Sequence, residues 1–98
     1  MISPKQRAEL KGLANSLQCA FQIGKGGVNE HQIAQIDDYL RVHELVKIGV
    51  LDNSLYSARE AAEEIASKIN ADVVQVIGSK AVLYKRNPKD PVIVLKNR

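Results

Sequence analysis

Apolar residues recur along the chain at two spacings, which predict helices alternating with strands. The first helix is predicted to begin after Ser3, an N-cap residue followed by Pro4, and to end near residue 17 or 18. Its buried stripe is predicted at Leu10, Leu13, Ala14 and Leu17. An apolar run at residues 19–23 then predicts the first strand.

Two further helices are predicted from capping residues and the apolar stripes that follow them. Asn29 suits the N-cap of the second helix, and Ser57 with Glu60 forms a capping box for the third. Three more strands are predicted at residues 44–51, 72–77 and 81–86. The run at 72–77 is apolar on both faces apart from Gln75, which predicts a strand in the interior of the sheet. The pattern is also compatible with a short last strand at 92–95, at an edge.

The predicted order of elements is α-β-α-β-α-β-β. A right-handed crossover at each β-α-β step gives parallel strands, and a hairpin formed by the last two strands makes the sheet mixed. The sequence therefore predicts one compact α/β domain over residues 1–98, with three helices and a mixed four-stranded sheet.

Charge divides the chain into three segments. Residues 1–28 carry four Lys/Arg and one acid, and residues 78–98 carry six Lys/Arg and one acid. Residues 29–77 carry four Lys/Arg and nine acids, and the whole chain has a formal net charge of +3. If the two ends of the chain meet in the fold, they form a basic face opposite an acidic one, as is typical of nucleic-acid binding. Charges dispersed over a solvated surface would explain the same composition.

A glycine-rich loop with one lysine, Gly24-Lys25-Gly26-Gly27, separates the first predicted strand from the second predicted helix. Glycines permit positive φ, and a helix that begins there adds unpaired N–H groups and the positive end of its dipole. The loop lacks the Gly-Lys-Ser/Thr ending of a P-loop and the third glycine of a dinucleotide fingerprint. It matches GxxG, the loop that clamps the backbone of single-stranded nucleic acid in KH domains. The pattern predicts a phosphate site, and a purely structural turn is the alternative.

The residue types that carry catalysis or bind metals form no constellation in the sequence. Cys19 lies in a predicted strand with no base beside it, which favours a buried inert thiol. His31 and His43 have no carboxylate pattern to match them, which argues against a metal site. The sequence therefore predicts a non-enzymatic protein with no metal and no cofactor. No apolar run is long enough to span a membrane, and we expect a cytoplasmic monomer.

Five sequence segments, taken together and in this order, are far more specific than the GxxG loop alone. They are Lys5-Gln6-Arg7 with Leu10-Lys11, Ile23-Gly24-Lys25-Gly26-Gly27, Glu44-Leu45-Val46-Lys47-Ile48, Val76-Ile77-Gly78 and Leu83-Tyr84-Lys85. Together they resemble the CRM domain family (chloroplast RNA splicing and ribosome maturation), in particular its stand-alone bacterial YhbY type. The sequence departs from the family pattern at Cys19-Ala20, where a proline often precedes the first strand, and at Lys85, where arginine is frequent. Lysine keeps the charge of arginine but loses its bidentate phosphate geometry.

The resemblance implies an RNA-binding module with a fold similar to the C-terminal domain of bacterial translation initiation factor three. It also implies association with precursors of the large ribosomal subunit, so ribosomal RNA is the expected partner and ribosomal proteins are further candidates. The N–H groups of Gly26, Gly27 and Val28 are expected to hold a phosphate together with Lys25. The full set of expected RNA contacts is Gly24, Lys25, Gly26, Gly27 and Val28 in the loop, Lys5, Arg7 and Lys11 in the first helix, and Lys80, Lys85, Arg86 and Lys89 in and after the hairpin.

Two other functions stay open at the level of the residues. A protein-interaction factor on the ribosome would use the acidic helices, and charge reversal there would abolish its binding. The residues concerned are Asp37, Asp38, Glu60, Glu63 and Glu64. An enzyme of small phosphorylated substrates would use the same anion site as RNA, but the sequence offers it no placed general base.

Overall fold

The computed structural model describes residues 2–24, 26–52, 54, 56–89, 91 and 93. These residues form three helices, α1 (Pro4–Ala14), α2 (Glu30–His43) and α3 (Ala58–Ile69). Ser3 and Ser57 complete capping boxes, and the Asn29 side chain accepts the N–H of Gln32 at 2.8 Å. The three predicted N-caps are therefore confirmed.

The first helix ends earlier than predicted, at Ala14. Leu10 and Ala14 lie one turn apart and are buried, whereas the side chain of Leu13 is 47% exposed. The predicted buried stripe is therefore wrong at Leu13, because only the line through Leu10 and Ala14 faces the sheet. This short line of contact leaves part of the sheet uncovered beyond the helix end.

The described strands form one mixed sheet in the order β1-β2-β4-β3. Their bounds are β1 (Phe21–Ile23), β2 (Leu45–Val50), β3 (Asp72–Ile77) and β4 (Lys80–Tyr84). β1 is parallel to β2, and β4 is antiparallel to both β2 and β3. The predicted α/β class, the element order and the hairpin are confirmed.

The predicted position of one strand is wrong. β3 lies at an edge of the sheet that the described residues form, and β4 is inserted between β2 and β3. β3 is apolar on both faces because each face is covered by a helix: Val74 packs in the cluster with α1, and Val76 packs against the cluster with α3. An apolar pattern on both faces thus indicates that both faces of the strand are covered by helices, and this can also occur for a strand at the edge of a sheet. Apart from Ile93, the strand predicted at 92–95 lies outside the described residues.

The helices divide between the two faces of the sheet. α2 and α3 pack on one face in the larger core, and α1 packs on the other face in a smaller cluster that includes Val82 and Tyr84. Because α1 lies against β4, the basic first and last segments are neighbours and the acidic helices lie across the sheet. None of the described helices has the length and apolar character needed to cross a membrane.

Candidate nucleic-acid interface

Three connections converge at one end of the sheet, marked by Ile23, Val50 and Lys80 and called here the loop end. β1 and β2 are parallel, so their carboxyl ends lie side by side, and the N–H of Leu51 donates to the carbonyl of Ile23 at 2.8 Å. The N–H of Val50 donates to the carbonyl of Ser79 at 2.7 Å, which ties the β3–β4 turn to the same end. The fold therefore places Lys80 and the glycine loop that follows β1 at the same end of the sheet, with β2 between β1 and β4.

The glycine loop closes as a tight turn. The N–H of Gly27 donates to the carbonyl of Gly24 at 2.9 Å, and Gly27 has a φ of +70°, a region that favours glycine. A Cβ at Gly27 would lie 2.6 Å from Cε2 of Tyr56, so the tyrosine ring covers this glycine. Gly26 is exposed, and a Cβ there would meet nothing within 4 Å. Lys25, which stands between Gly24 and Gly26 in the sequence, lies outside the described residues.

This geometry changes one expectation about phosphate binding. Since the N–H of Gly27 is used inside the turn, it does not point at a ligand, and its predicted role as a phosphate donor is replaced by a steric one. The N–H groups of Gly26 and Val28 have no hydrogen bond to another described residue. They are the two candidate backbone donors that remain from the predicted three.

The start of α2 is partly occupied by its own side chains. The Asn29 side chain accepts a hydrogen bond from the backbone N–H of Gln32. The Gln32 side chain donates to the carbonyl of Gln22 at 2.9 Å, which links α2 to β1. Glu30 places an acid in the first turn, where it interacts favourably with the helix dipole. A phosphate at this helix start would therefore depend on nearby lysines for much of its attraction.

Two lysines lie on the open half of the sheet beside the loop end. Lys47 and Lys80 line a cavity of about 140 Å³ together with Asn15, Gln75, Ile77 and Val82. Neither lysine forms an ion pair with another described residue, and no carboxylate is found among the described lining residues. Lys47 was not among the predicted site residues, although the signal was present: it alternates with the apolar residues Val46 and Ile48, which pack in the core on the other face of the sheet.

The three basic residues of α1 differ in their surroundings. Lys5 and Lys11 are exposed, and Lys11 lies one turn before Asn15 on the same side of the helix. The Arg7 side chain is half-buried, and its Nη1 donates to the carbonyl of Val73 and to that of Val74. Arg7 therefore fastens α1 to the edge strand, and only its other donors could reach a ligand.

The three basic residues after β4 lie at the opposite end of the sheet, called here the far end. Antiparallel β4 begins at Lys80 beside the loop and ends at Tyr84, so a rise of about 3.3 Å per residue places Lys85 roughly 17 Å from Lys80. The ammonium of Lys85 is 2.9 Å from a carboxylate oxygen of Asp37. Lys85, Arg86 and Lys89 thus form a group separate from the loop end.

A buried glutamate organises the far end. Glu44 follows α2 in the left-handed region, with a φ of +64°, and its side chain is 0% exposed. Its carboxylate accepts the N–H of Asn87 at 2.6 Å and that of Ile93 at 2.7 Å, while its backbone carbonyl accepts the N–H of Lys85 at 2.9 Å. Sequence analysis gave Glu44 no role. The available signal was a single acid at the start of an apolar strand.

Two groups have displaced pKa values, and neither lines the cavity. Burial raises the pKa of Tyr84 above its usual 10.0, and the negative charge of Glu44 adds to this effect. A hydrogen bond from the backbone N–H of Ser57 to the carboxylate of Glu60, with a smaller effect of the Ser57 side chain, lowers the pKa of Glu60 below its usual 4.5. Over the part of the chain that the structure describes, no three His, Cys, Asp or Glu side chains cluster in a way suited to a metal ion.

The acidic surface of α2 is partly neutralised within the fold. Arg41 lies 3.3 Å from a carboxylate oxygen of Asp38 and 3.9 Å from one of Asp37, which also pairs with Lys85. On α3, Glu60 is engaged in the capping box. These contacts weaken the case for an acidic protein-interaction surface, because several of its charges already have partners.

The chain is similar to several known proteins, and the names of these proteins refer to RNA binding. A family model described as the CRS1/YhbY (CRM) domain matches residues 2–85. The "Probable RNA-binding protein YqeI" of Bacillus subtilis (strain 168) is 38% identical over 95 residues, which are 97% of this chain and 99% of that protein. An "RNA-binding protein" of Haemophilus influenzae is 34% identical over 84 residues, which are 86% of this chain and 85% of that protein.

A solved structure shares the fold. The solution structure of the hypothetical protein SAV1595 from Staphylococcus aureus, described provisionally as an RNA-binding protein, superimposes with a TM-score of 0.80. Its sequence is 42% identical, and the match covers 97% of this chain and 99% of that one. The agreement in sequence and fold therefore extends over nearly the whole of both chains.

Proposed function

The chain belongs to the CRS1/YhbY (CRM) domain family, and from that premise we propose that it is a non-enzymatic RNA-binding protein that contacts RNA at the loop end. The family membership expected from the sequence segments is confirmed by the family model and the relatives. One observation carries the proposal: the glycine loop and Lys80 lie at the same end of the sheet, and Lys80 and Lys47 line a cavity with no carboxylate among its described lining residues.

The loop end suits a phosphate backbone better than a stacked base platform. Gly26 and Val28 offer backbone N–H groups, and Lys25 adds charge to the same loop. Lys80 and Lys47 continue the positive surface across the sheet. Contacts of this kind neutralise phosphates and position the RNA without specifying its sequence. Binding should therefore fall steeply as salt rises.

The family resemblance supports a finer assignment of the partner. The chain acts as a cytoplasmic monomer on ribosomal RNA of large-subunit precursors, through a single RNA-binding domain over residues 1–98. The first helix extends the contact through Lys11 and, further along, Lys5. The cations after β4 lie too far from the loop end to bind the same phosphates, so they serve as a second and weaker contact.

The test is binding to fragments of large-subunit ribosomal RNA across a salt series, with wild type beside Lys25→Glu. The variant should bind at least several-fold more weakly. The slope of log K against log salt is negative, and it should become shallower by about 0.7–0.9 for each phosphate that the variant no longer neutralises. Its thermal midpoint should stay close to that of wild type.

Lys68→Glu provides the matched control. Lys68 is an exposed lysine on α3, across the sheet from the cavity, and it undergoes the same change of charge. If both variants lose affinity equally, net charge alone explains binding and the loop end is the wrong surface. A flat salt slope for the wild-type protein would count against a phosphate-binding mechanism altogether.

A further inference from the structure

The cavity at the loop end has a lining that is richer than phosphate binding requires. We call it the sheet pocket, and its described lining residues are Asn15, Lys47, Gln75, Ile77, Lys80 and Val82. Lysines alone would suffice to attract an RNA backbone. The two amides and the apolar side chains therefore need a separate explanation.

The sheet pocket exists because α1 stops short. Leu10 and Ala14 cover the far half of the sheet, and the chain leaves the helix at Asn15. Strand pairing places Lys47, Val82 and Gln75 in one row beside the end of α1, and Lys80 and Ile77 in the next row. Cys19 lies over Gly49 of β2, since its Sγ would be 3.3 Å from a Cβ at that glycine.

Besides its two lysines, the lining contains two kinds of group that suit a nucleotide, namely apolar side chains and side-chain amides. Val82 is 3% exposed and forms an apolar floor, and Ile77 is 63% exposed at the end of β3. The side-chain amides of Asn15 and Gln75 make no hydrogen bond to another described residue. Each amide can both donate and accept, as the edge of a base requires.

The size of the sheet pocket limits what it can hold. Its volume is about 140 Å³. A cavity of about 150 Å³ in another protein accommodates one benzene ring, so this one matches a single base ring. A paired base cannot enter, because its Watson–Crick edge is already occupied and its neighbours in the stack stand in the way.

We propose that the sheet pocket takes one unpaired nucleotide of the bound RNA. The base lies on Val82 and Ile77, the amides of Asn15 and Gln75 bind its edge, and Lys47 and Lys80 hold its phosphate. The inference rests on the proposed RNA-binding function and deepens it, because it assigns single-stranded RNA to one place on the surface. It gives the protein a preference for loops and bulges over continuous duplex.

The test uses Gln75→Leu, which removes the amide and preserves most of the side-chain volume. The probes are a short single-stranded oligouridylate and an RNA duplex of the same length. The variant should bind the single strand about three- to tenfold more weakly, as expected when one hydrogen bond is removed, with an unchanged salt slope. Its affinity for the duplex should not change. Gln35→Leu, at an exposed position of α2, is the matched control.

Nuclear magnetic resonance gives an independent measurement on the wild-type protein. The side-chain amide signals of Asn15 and Gln75 should shift on addition of oligouridylate and not on addition of inorganic phosphate. If Gln75→Leu does not fold, Ile77→Ser replaces it, because Ile77 is exposed and the variant retains every polar group of the sheet pocket.

The outcomes separate the two proposals. If wild type binds RNA but the amide signals stay fixed and Gln75→Leu binds as well as wild type, the sheet pocket is overturned and the RNA-binding function stands. If inorganic phosphate produces the same shifts, the sheet pocket is only an anion site, and the proposal that it binds a nucleotide is overturned. If wild type binds neither probe, the RNA-binding function falls together with this inference.

Discussion

The loop end and the far end of the sheet are both rich in lysine and arginine, but their cations have different surroundings. At the loop end, Lys47 and Lys80 have no acidic partner among the described residues. At the far end, Lys85 is paired with Asp37, and the buried carboxylate of Glu44 collects N–H groups from the chain that leaves β4. The two cavity lysines of the loop end therefore carry positive charge that no described acid offsets, whereas the charge of Lys85 at the far end is offset by Asp37.

This difference shows why charge along a sequence does not map directly onto a binding surface. Residues 78–98 are the most basic segment of the chain, yet β4 delivers one described lysine of this segment to the loop end and directs Lys85, Arg86 and Lys89 the other way. The direction of a strand determines at which end of the sheet a cation lies, and therefore which acids can pair with it. Variants at the two ends should accordingly affect different properties, namely stability at the far end and RNA affinity at the loop end.

The largest expected effect is on stability, from Glu44→Gln. The substitution keeps the shape of the side chain but replaces one acceptor oxygen with an NH₂ group, which faces a backbone N–H. A buried unsatisfied donor and the removal of a hydrogen bond to a charged group should together lower the free energy of unfolding by about 2–3 kcal/mol. Urea denaturation measures this decrease.

The control for this change is Glu63→Gln, at an exposed position of α3, which should alter stability by less than about 0.5 kcal/mol. Folded Glu44→Gln protein should bind RNA with wild-type affinity. Loss of RNA binding by the folded variant would break the comparison, because the far end would then be part of the interface.

The next effect is at the loop end, from Gly27→Ala. The backbone there has a φ of +70°, and the new Cβ would meet the ring of Tyr56 at 2.6 Å. A non-glycine residue in this region costs about 1–3 kcal/mol, so the variant should be less stable and should bind RNA weakly because its loop is displaced. Thermal unfolding and RNA titration measure the two effects.

Gly26→Ala is the matched control, since a Cβ at Gly26 would meet nothing within 4 Å. It should leave stability nearly unchanged. In the background of Gly27→Ala, Tyr56→Leu should recover part of the stability by removing the ring. Equal destabilisation by the two alanine variants would show that the steric role assigned to Gly27 is wrong.

A smaller effect distinguishes the cations of the two ends. Lys80→Met should weaken RNA binding several-fold, because the variant neutralises one phosphate fewer. The slope of log K against log salt should become shallower by about 0.7–0.9. Lys85→Met removes a lysine whose charge is already compensated by Asp37, so both affinity and slope should change little. Titrations of the two variants at several salt concentrations decide this. The reverse ranking would move the interface to the far end.

Most local features of this fold could be predicted from the sequence, apart from the end of α1 and the exposure of Leu13. Ser3, Asn29 and Ser57 fixed the helix starts through caps that act within four residues, and strand positions followed from alternation. The order of strands was not available from local pattern. β3 was expected inside the sheet, because its apolar residues indicate burial but not which strands lie beside it.

The candidate site was predicted only in part for a similar reason. The glycine loop is contiguous in sequence and was identified there, whereas the sheet pocket depends on register between strands that are distant in the chain. Lys47 joins Lys80 through the pairing of β2 with β4. Glu44 acts through contacts with residues more than forty positions later, so the sequence around it could not indicate its role.

The smallest expected effect is in the pH dependence of stability, which should also differ between the ends. Glu60 lies beside the Ser57 cap, next to Tyr56 at the loop end, and its lowered pKa means that it stabilises the fold above pH 4.5. This contribution disappears as pH falls through the lowered value, and Ser57→Ala should remove it together with that part of the acid slope.

Tyr84 at the far end has a raised pKa, so its contribution is present below pH 10.0 and disappears as pH rises through the raised value. Tyr84→Phe should therefore flatten the alkaline slope alone. Unfolding free energies measured against pH test both assignments, and an acid slope unaffected by Ser57→Ala would contradict the first, since Glu60 would then titrate alike in the folded and unfolded states.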